Sequence, residues 1–312
     1  MFFPFLPSLA LGWRDCFIKE EHEMFDCVDP KSLEGLTWLA CYLTTGKHMA
    51  FYASFATVLF LLALTAPLAM LFGFGGALAS RSAVLPLRLF GKGYIAMVRG
   101  IPDIVFFLFM PIAIDQLLET VRHKLLCPDV VEPIRRGNDF VVCTAAKLPL
   151  GAADQWVHEL YGFLLASLSF AIVFGAFAGN TLYGAMQAVP RAQLETASAY
   201  GMTQRQIFWR ILMPQMWVYA LPGLSNLWQI LIKATPLLFL LGVEDIVYWA
   251  RELGGAKTSA FSYPHPDWRL YYFLFLLIFY LMLTQLSERV FGWLIRKTDH
   301  GALSAHAARA GS

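Results

Sequence analysis

The chain has 312 residues, of which 58% are hydrophobic and only 15% charged, and its mean hydropathy is +0.55. A soluble domain carries about 25% charged residues, so this chain has too few to cover a globular surface and reads as a membrane protein. The net charge of +2 offers no basic field for nucleic acid, and five cysteines are too sparse for a disulfide framework.

In chain order, the first thirteen residues are free of charge but lack a basic leader, so they read as an interfacial or packed segment rather than a cleaved signal. Residues 36–46 form another short apolar stretch. Spanning a bilayer takes roughly 20 apolar helical residues, and residues 48–80 contain no Asp, Glu, Lys or Arg. Residues 94–114 are apolar apart from Arg99 and Asp103 and predict a second span. Residues 160–190 are again uncharged, a third span. Residues 211–232 continue past Lys233 to 243 as a fourth, and residues 270–287 run into Phe291 and Trp293 as a fifth. The expected fold is all-α membrane, with about five transmembrane helices.

Five spans put the termini on opposite sides. The connections 79–99, 190–210 and 288–312 hold 11 Lys/Arg against 3 acids, whereas 1–50, 115–160 and 242–269 hold 12 against 18. The positive-inside rule makes the first set cytoplasmic. The N-terminus is then outside and the C-terminus in the cytoplasm.

Cys16 and Cys27 fall in the external N-terminal segment, and Cys127 and Cys143 in the external loop after the second span. An oxidising compartment permits a disulfide in each segment; unpaired thiols are the alternative, and Cys41 is the odd residue, expected to be simply packed. Catalytic chemistry has little to stand on. Gly46-Lys47 is followed by His48 and Gly91-Lys92 by Gly93, so no phosphate-cradling loop ends in Gly-Lys-Ser/Thr. The seven His do not pair at metal-ligand spacing, and neither a nucleophile elbow nor an intramembrane carboxylate pair is present. No cofactor, no metal and no enzymatic activity are expected.

Several residues stand out within the spans. Lys233 sits in an apolar run where a bare charge costs at least roughly 2.5 kcal/mol on insertion scales; it reads as a pathway residue or as a snorkelling Lys. Asp103, four residues after Arg99, reads as a helix ion pair or a substrate contact, and Asn180 as an interhelical hydrogen bonder or a ligand contact. Gly73, Gly75, Gly76, Gly175 and Gly179 suit close helix packing. Pro222 and Pro236 suggest kinks or unwinding in the fourth span.

The connection from Pro190 to Pro214 predicts a helix, a turn and a second helix. Pro190 suits a helix start, Ala197 and Ala199 favour helix, Gly201 permits a turn, and Thr203 leads the next segment. Glu195, Ala197, Gly201, Ile211 and Pro214 stand at the spacing of Glu-Ala-Ala, three residues, Gly, nine residues, Ile-x-Leu-Pro, with Thr196 and Met213 as departures. This resembles the EAA loop of importer permeases in the ABC transporter superfamily. Tyr94 with Arg99-Gly100-Ile101-Pro102, Val189-Pro190-Arg191-Ala192-Gln193, Lys233-Ala234-Thr235-Pro236-Leu237 and Gly242-Val243-Glu244-Asp245 are similar to segments of the polar amino acid permeases, the histidine, glutamine, glutamate, arginine and opine group. The resemblance covers about residues 51–296. Where that group reads Ala-Tyr-x-x-Glu-x-x-Arg, this chain has Ala176-Phe177-Ala178-Gly179-Asn180-Thr181-Leu182-Tyr183, without either charge, Asp103 replaces an apolar residue and Ala234 an acid.

The resemblance implies a type I ABC importer transmembrane domain with a cytoplasmic coupling helix, at residues 51–298 with an external insertion at about 119–159. An external extension at 1–50 and a cytoplasmic tail at 299–312 flank it. It implies a multi-pass permease of the bacterial inner membrane that imports polar or charged amino acids. The expected partners are a cytoplasmic ABC ATPase dimer, which hydrolyses the ATP, a second permease subunit, identical or homologous, and a soluble external substrate-binding protein. Arg191, Gln193, Glu195, Thr196, Ala197 and Gly201 are the expected ATPase-coupling residues, and Lys233, Asp103, Asn180 and Thr235 candidates for the translocation path. The competing readings are an ion-gradient-driven secondary transporter, whose inverted repeats five unequal spans do not supply, and a permease of another ABC importer family.

Overall fold

In the computed structural model, residue 27 and residues 35–97, 102–129, 135–136, 139–149, 151–241 and 243–310 are described. The helices are α1 (Gly35–Leu43), α2 (Gly46–Ser80), α3 (Leu85–Met97), α4 (Asp103–Leu126), α5 (Gln155–Ala188), α6 (Arg191–Ala199), α7 (Gln204–Ile207), α8 (Met213–Ala234), α9 (Ile246–Gly254) and α10 (Arg269–Ala310). A π-helical turn, Phe208–Leu212, joins α7 to α8, and a 3₁₀ stretch, Thr235–Leu241, follows α8. Two-residue strands β1 (Arg135–Arg136) and β2 (Asp139–Phe140) pair antiparallel within the 119–159 loop.

Among the described residues, four helices, α2, α4, α5 and α10, are long and apolar enough to cross a membrane. The expected second span, 94–114, is not one helix. α3 ends at Met97 and α4 begins at Asp103, and the span runs on to Leu126. Pro102 itself is non-helical and stands immediately before α4. Arg99, the expected partner of Asp103, lies outside the described residues. The fourth span is also shorter than its apolar run: α8 stops at Ala234, and Pro236 lies in the 3₁₀ stretch, whereas Pro222 is accommodated inside α8.

The chain separates into two compact units. The first comprises Met1–Leu61, Glu119–Leu164 and Thr235–Tyr280, the second Leu62–Leu118, Leu165–Ala234 and Leu281–Ser312. The acid-rich connections therefore gather almost wholly in the first unit and the basic ones in the second.

The first unit is held by aromatic and polar contacts. Tyr42 on α1 stacks on Trp38, and its hydroxyl meets His265 Nε2 at 2.9 Å; His265 in turn stacks on Trp268 at 4.3 Å. His48 Nε2 meets the Tyr272 hydroxyl at 2.6 Å. Glu252 Oε1 accepts from Lys47 Nζ at 2.9 Å and Lys257 Nζ at 3.1 Å; the Lys47 hydrogen bond is the main reason its carboxyl lies below the usual range.

The disulfides differ from expectation. Cys127 is bonded to Cys143, but Cys27 is bonded to Cys41, the residue expected to be unpaired; Cys16, its anticipated partner, lies outside the described residues. The short apolar run at 36–46 holds helix α1, which carries Cys41, buried, beside Cys27.

In the second unit, α2 and α5 cross at small residues. A Cβ on Gly73 would lie 2.9 Å from Ala178 Cβ and 3.0 Å from the Gly179 nitrogen. Tyr94 on α3 donates its hydroxyl to the Ile172 carbonyl at 2.6 Å and fills the space left by Gly76 and Gly175. Gly75, by contrast, faces no atom within 4 Å. Phe107 stacks on Phe170 at 4.6 Å, and Ala77, Leu182, Met186, Val189, Leu212 and Met216 form a buried apolar core beneath the loop that follows α5.

The candidate docking loop

α5 ends at Ala188, and Pro190, at φ −59° and ψ 125°, turns the chain into α6. After Ala199 the Gly201 amide donates to the Ser198 carbonyl at 3.0 Å and the Met202 amide to the Ala197 carbonyl at 3.1 Å. That pair of bonds is a Schellman closure. It requires a left-handed residue, and Gly201 supplies it at φ +79°. Thr203 then caps α7 reciprocally: its hydroxyl accepts from the Gln206 amide, and its own amide donates to Gln206 Oε1 at 2.8 Å. Pro214, which has no amide hydrogen, follows the π turn. The motif spacing read in the sequence is thus the spacing of a cap, a left-handed turn and a helix irregularity.

Only Ala197 of α6 is buried, seating the helix. Arg191, Glu195, Thr196 and Ser198 are exposed, and the Thr196 hydroxyl is turned onto the Ala192 carbonyl at 2.7 Å. Gln193 is half-buried. Behind the helix is a groove of about 460 Å³ lined by Arg81, Leu194, Glu195, Gln204, Ile207 and Phe208, among others. Arg81, absent from the sequence-based set, extends from the end of α2 and donates to the Met186 carbonyl at 3.5 Å. Two aromatic side chains were also missed: Tyr200, 85% exposed, and Trp209, 60% exposed. Tyr200 caps the end of α6 and Trp209 lies in the π turn; rings this open are candidates for a contact surface, and only the turn geometry shows that they face outward.

The candidate path residues are dispersed along the chain. Lys233 is exposed in the last turn of α8, where its charge complements the carbonyl end of the helix; Glu244 lies past the helix end and is pushed up by burial and by Glu159. Asn180 is half-buried in α5, and Asp103 opens α4. Thr235 is fully buried, its hydroxyl 2.9 Å from that of Tyr280. Asp245, also fully buried, caps α9 by accepting from the Tyr248 amide at 2.9 Å, while its other oxygen lacks a hydrogen-bond partner among the described residues. Burial pushes its carboxyl up to about 6.

His123, Cys127 and Cys143 present ligand atoms within 4.8 Å of one another. The two sulfurs are bonded to each other, and His123 Nδ1 accepts from the Cys143 amide at 3.0 Å, so the trio is a structural clasp.

Long apolar helices, with a capped helix, turn, helix connection following one of them, define a multi-pass membrane protein. The chain belongs to the family of binding-protein-dependent transport system inner membrane components, whose model matches residues 66–300. It is 31% identical over 240 residues to the histidine/lysine/arginine/ornithine transport system permease protein HisQ of Escherichia coli (strain K12), covering 76% of this chain and 88% of the relative. It is 30% identical to the arginine ABC transporter permease protein ArtQ of the same strain, covering 66% and 76%. It is 29% identical to the octopine transport system permease protein OccQ of Rhizobium radiobacter, covering 71% and 78%. The fold matches a crystal structure of an amino acid ABC transporter with histidines at a TM-score of 0.54 and 19% identity, over 80% of this chain and 94% of that one.

Proposed function

We propose that the chain is the translocating subunit of an ATP-driven importer for polar or charged amino acids, with α6 as the helix that engages the ATPase. The observation that carries this is the docking loop: a rigidly closed short helix with its acid and aromatic residues open, on a member of a binding-protein-dependent transport family. The names of the relatives support the substrate class. A pair of cytoplasmic ATPases hydrolyses the ATP and pulls on Arg191, Gln193, Glu195, Thr196, Ala197 and Gly201; this chain performs no covalent chemistry. A second permease subunit, identical or homologous, completes the path, and an external binding protein delivers substrate. Asp103, Asn180, Lys233 and Thr235 contribute to that path. The transporter core is residues 51–298, with an external insertion at 119–159, an external extension at 1–50 and a cytoplasmic tail at 299–312. The charge asymmetry of the connections supports an external N-terminus and a cytoplasmic C-terminus.

Glu195→Lys tests the coupling role. The expected result is uptake reduced at least ten-fold and weaker ATPase recovery on co-purification, with unchanged amounts in the membrane. Normal uptake by that variant would overturn the role of α6.

A further inference from the structure

Between Glu34 and Asp103 the sequence contains no acid, and its five charges, Lys47, Arg81, Arg88, Lys92 and Arg99, are all basic. α3 lies inside this stretch, directly after the end of the first span. One edge of it is fixed. A Cβ on Gly91 would lie 2.5 Å from the Ser80 nitrogen, Ile95 is buried, and Tyr94 is anchored on the Ile172 carbonyl. The outward surface is apolar and open: Val84, Leu85, Leu87, Leu89 and Phe90 are all exposed, Phe90 at 72%.

Arg88 and Lys92 stand one turn apart, beside Leu85 and Leu89, which are also one turn apart. Neither basic side chain has a hydrogen-bond or ion-pair partner among the described residues. A row of cations beside a row of large apolar side chains, at the end of a spanning helix, is the pattern of a surface that meets headgroups with one row and acyl chains with the other. A second copy of this chain packed symmetrically on the same patch would oppose like charges with no acid from this segment to separate them.

We propose that α3 is a binding surface for anionic phospholipid, with Arg88 and Lys92 holding the phosphate and Leu85, Leu89 and Phe90 lying against the acyl chains. This rests on membrane residence and not on the transported substrate, so it stands or falls separately from the transport reading.

The test uses the full chain reconstituted in phosphatidylcholine containing a minority of phosphatidylglycerol, with retained lipid counted by native mass spectrometry. A basic side chain near an anionic surface contributes about five-fold, so Arg88→Gln/Lys92→Gln should bind phosphatidylglycerol roughly thirty-fold more weakly, with unchanged thermal unfolding. Arg251→Gln, in the other unit, should leave retention unaltered, and excess inorganic phosphate should not displace the lipid. A photo-crosslinking benzoylphenylalanine at Phe90 should acquire the mass of a phospholipid in the assembled complex. Equal retention by the double variant, displacement by phosphate alone, or adducts to another polypeptide at Phe90 would each overturn the proposal.

Discussion

Replacing Gly201 isolates backbone conformation from packing, because a Cβ built there meets nothing within 4 Å. At φ +79° an L side chain costs about 1–2 kcal/mol, and with no clash added, Gly201→Ala should lose that amount alone. Asn tolerates the left-handed region better than Ala, so Gly201→Asn should lose less. The chain has two ways to relax: keep the Schellman closure and bear the strain, or release the Ala197 and Ser198 carbonyls and let the end of α6 unwind. The first lowers the unfolding temperature by a few degrees, at about 2–4 °C per kcal/mol for a chain of 150–250 residues. The second leaves unfolding nearly unchanged but misplaces Tyr200 and Glu195 and lowers uptake. Thermal unfolding and uptake measured on parent, Ala and Asn variants therefore form a graded series, with parent above Asn and Asn above Ala in at least one of the two. If Ala matches the parent in both, the left-handed turn does not hold the loop.

Gly175→Ala would bring a Cβ to 2.6 Å from both Phe72 Cβ and the Tyr94 hydroxyl; it should destabilise by about 1–3 kcal/mol, and Tyr94→Phe in the same background should recover only part of that, read by thermal unfolding. Asp245 titrates near 6 when folded but near the ordinary carboxylate value when unfolded. The folded state therefore holds the extra proton, and stability should fall as pH rises from about 4 through 6, by on the order of 3 kcal/mol. Asp245→Asn should abolish that slope in unfolding curves taken from pH 4 to 7.5; an unchanged slope refutes the assignment. With Cys27, Cys41, Cys127 and Cys143 bridged, thiol titration of denatured, unreduced protein should find no more than one free thiol, and three or more would contradict one of the bonds.

Much of the fold was legible because apolar length is a strong signal: uncharged runs such as 160–190 have few structures open to them in lipid. What the runs did not disclose was where backbone regularity fails. Periodicity passes over Pro102, which stands outside α4 just before its first residue, whereas Pro236, marked in the sequence as a point of unwinding, falls in the 3₁₀ stretch after α8. The docking loop was legible for the opposite reason. Its turn and caps are fixed by residues three to five apart in sequence, Ala197 with Met202 and Thr203 with Gln206, whereas Arg81 reaches the same groove from more than a hundred residues away. The cysteine pairing failed on distance as well: sequence proximity favoured Cys16 for Cys27, but α1 brings Cys41 to it.

Both disulfides lie in the unit that gathers the acid-rich connections. A reducing cytosol keeps such thiols apart, so each bond doubles as a chemical record of the compartment in which its segment matured. Peptide mapping of unreduced protein would read the chain's sidedness from its own sulfur atoms, without a tag or a fusion partner. Cells lacking a thiol oxidase would yield a chain in which these two segments are unlatched while the capped turn at Gly201, which contains no sulfur, is intact.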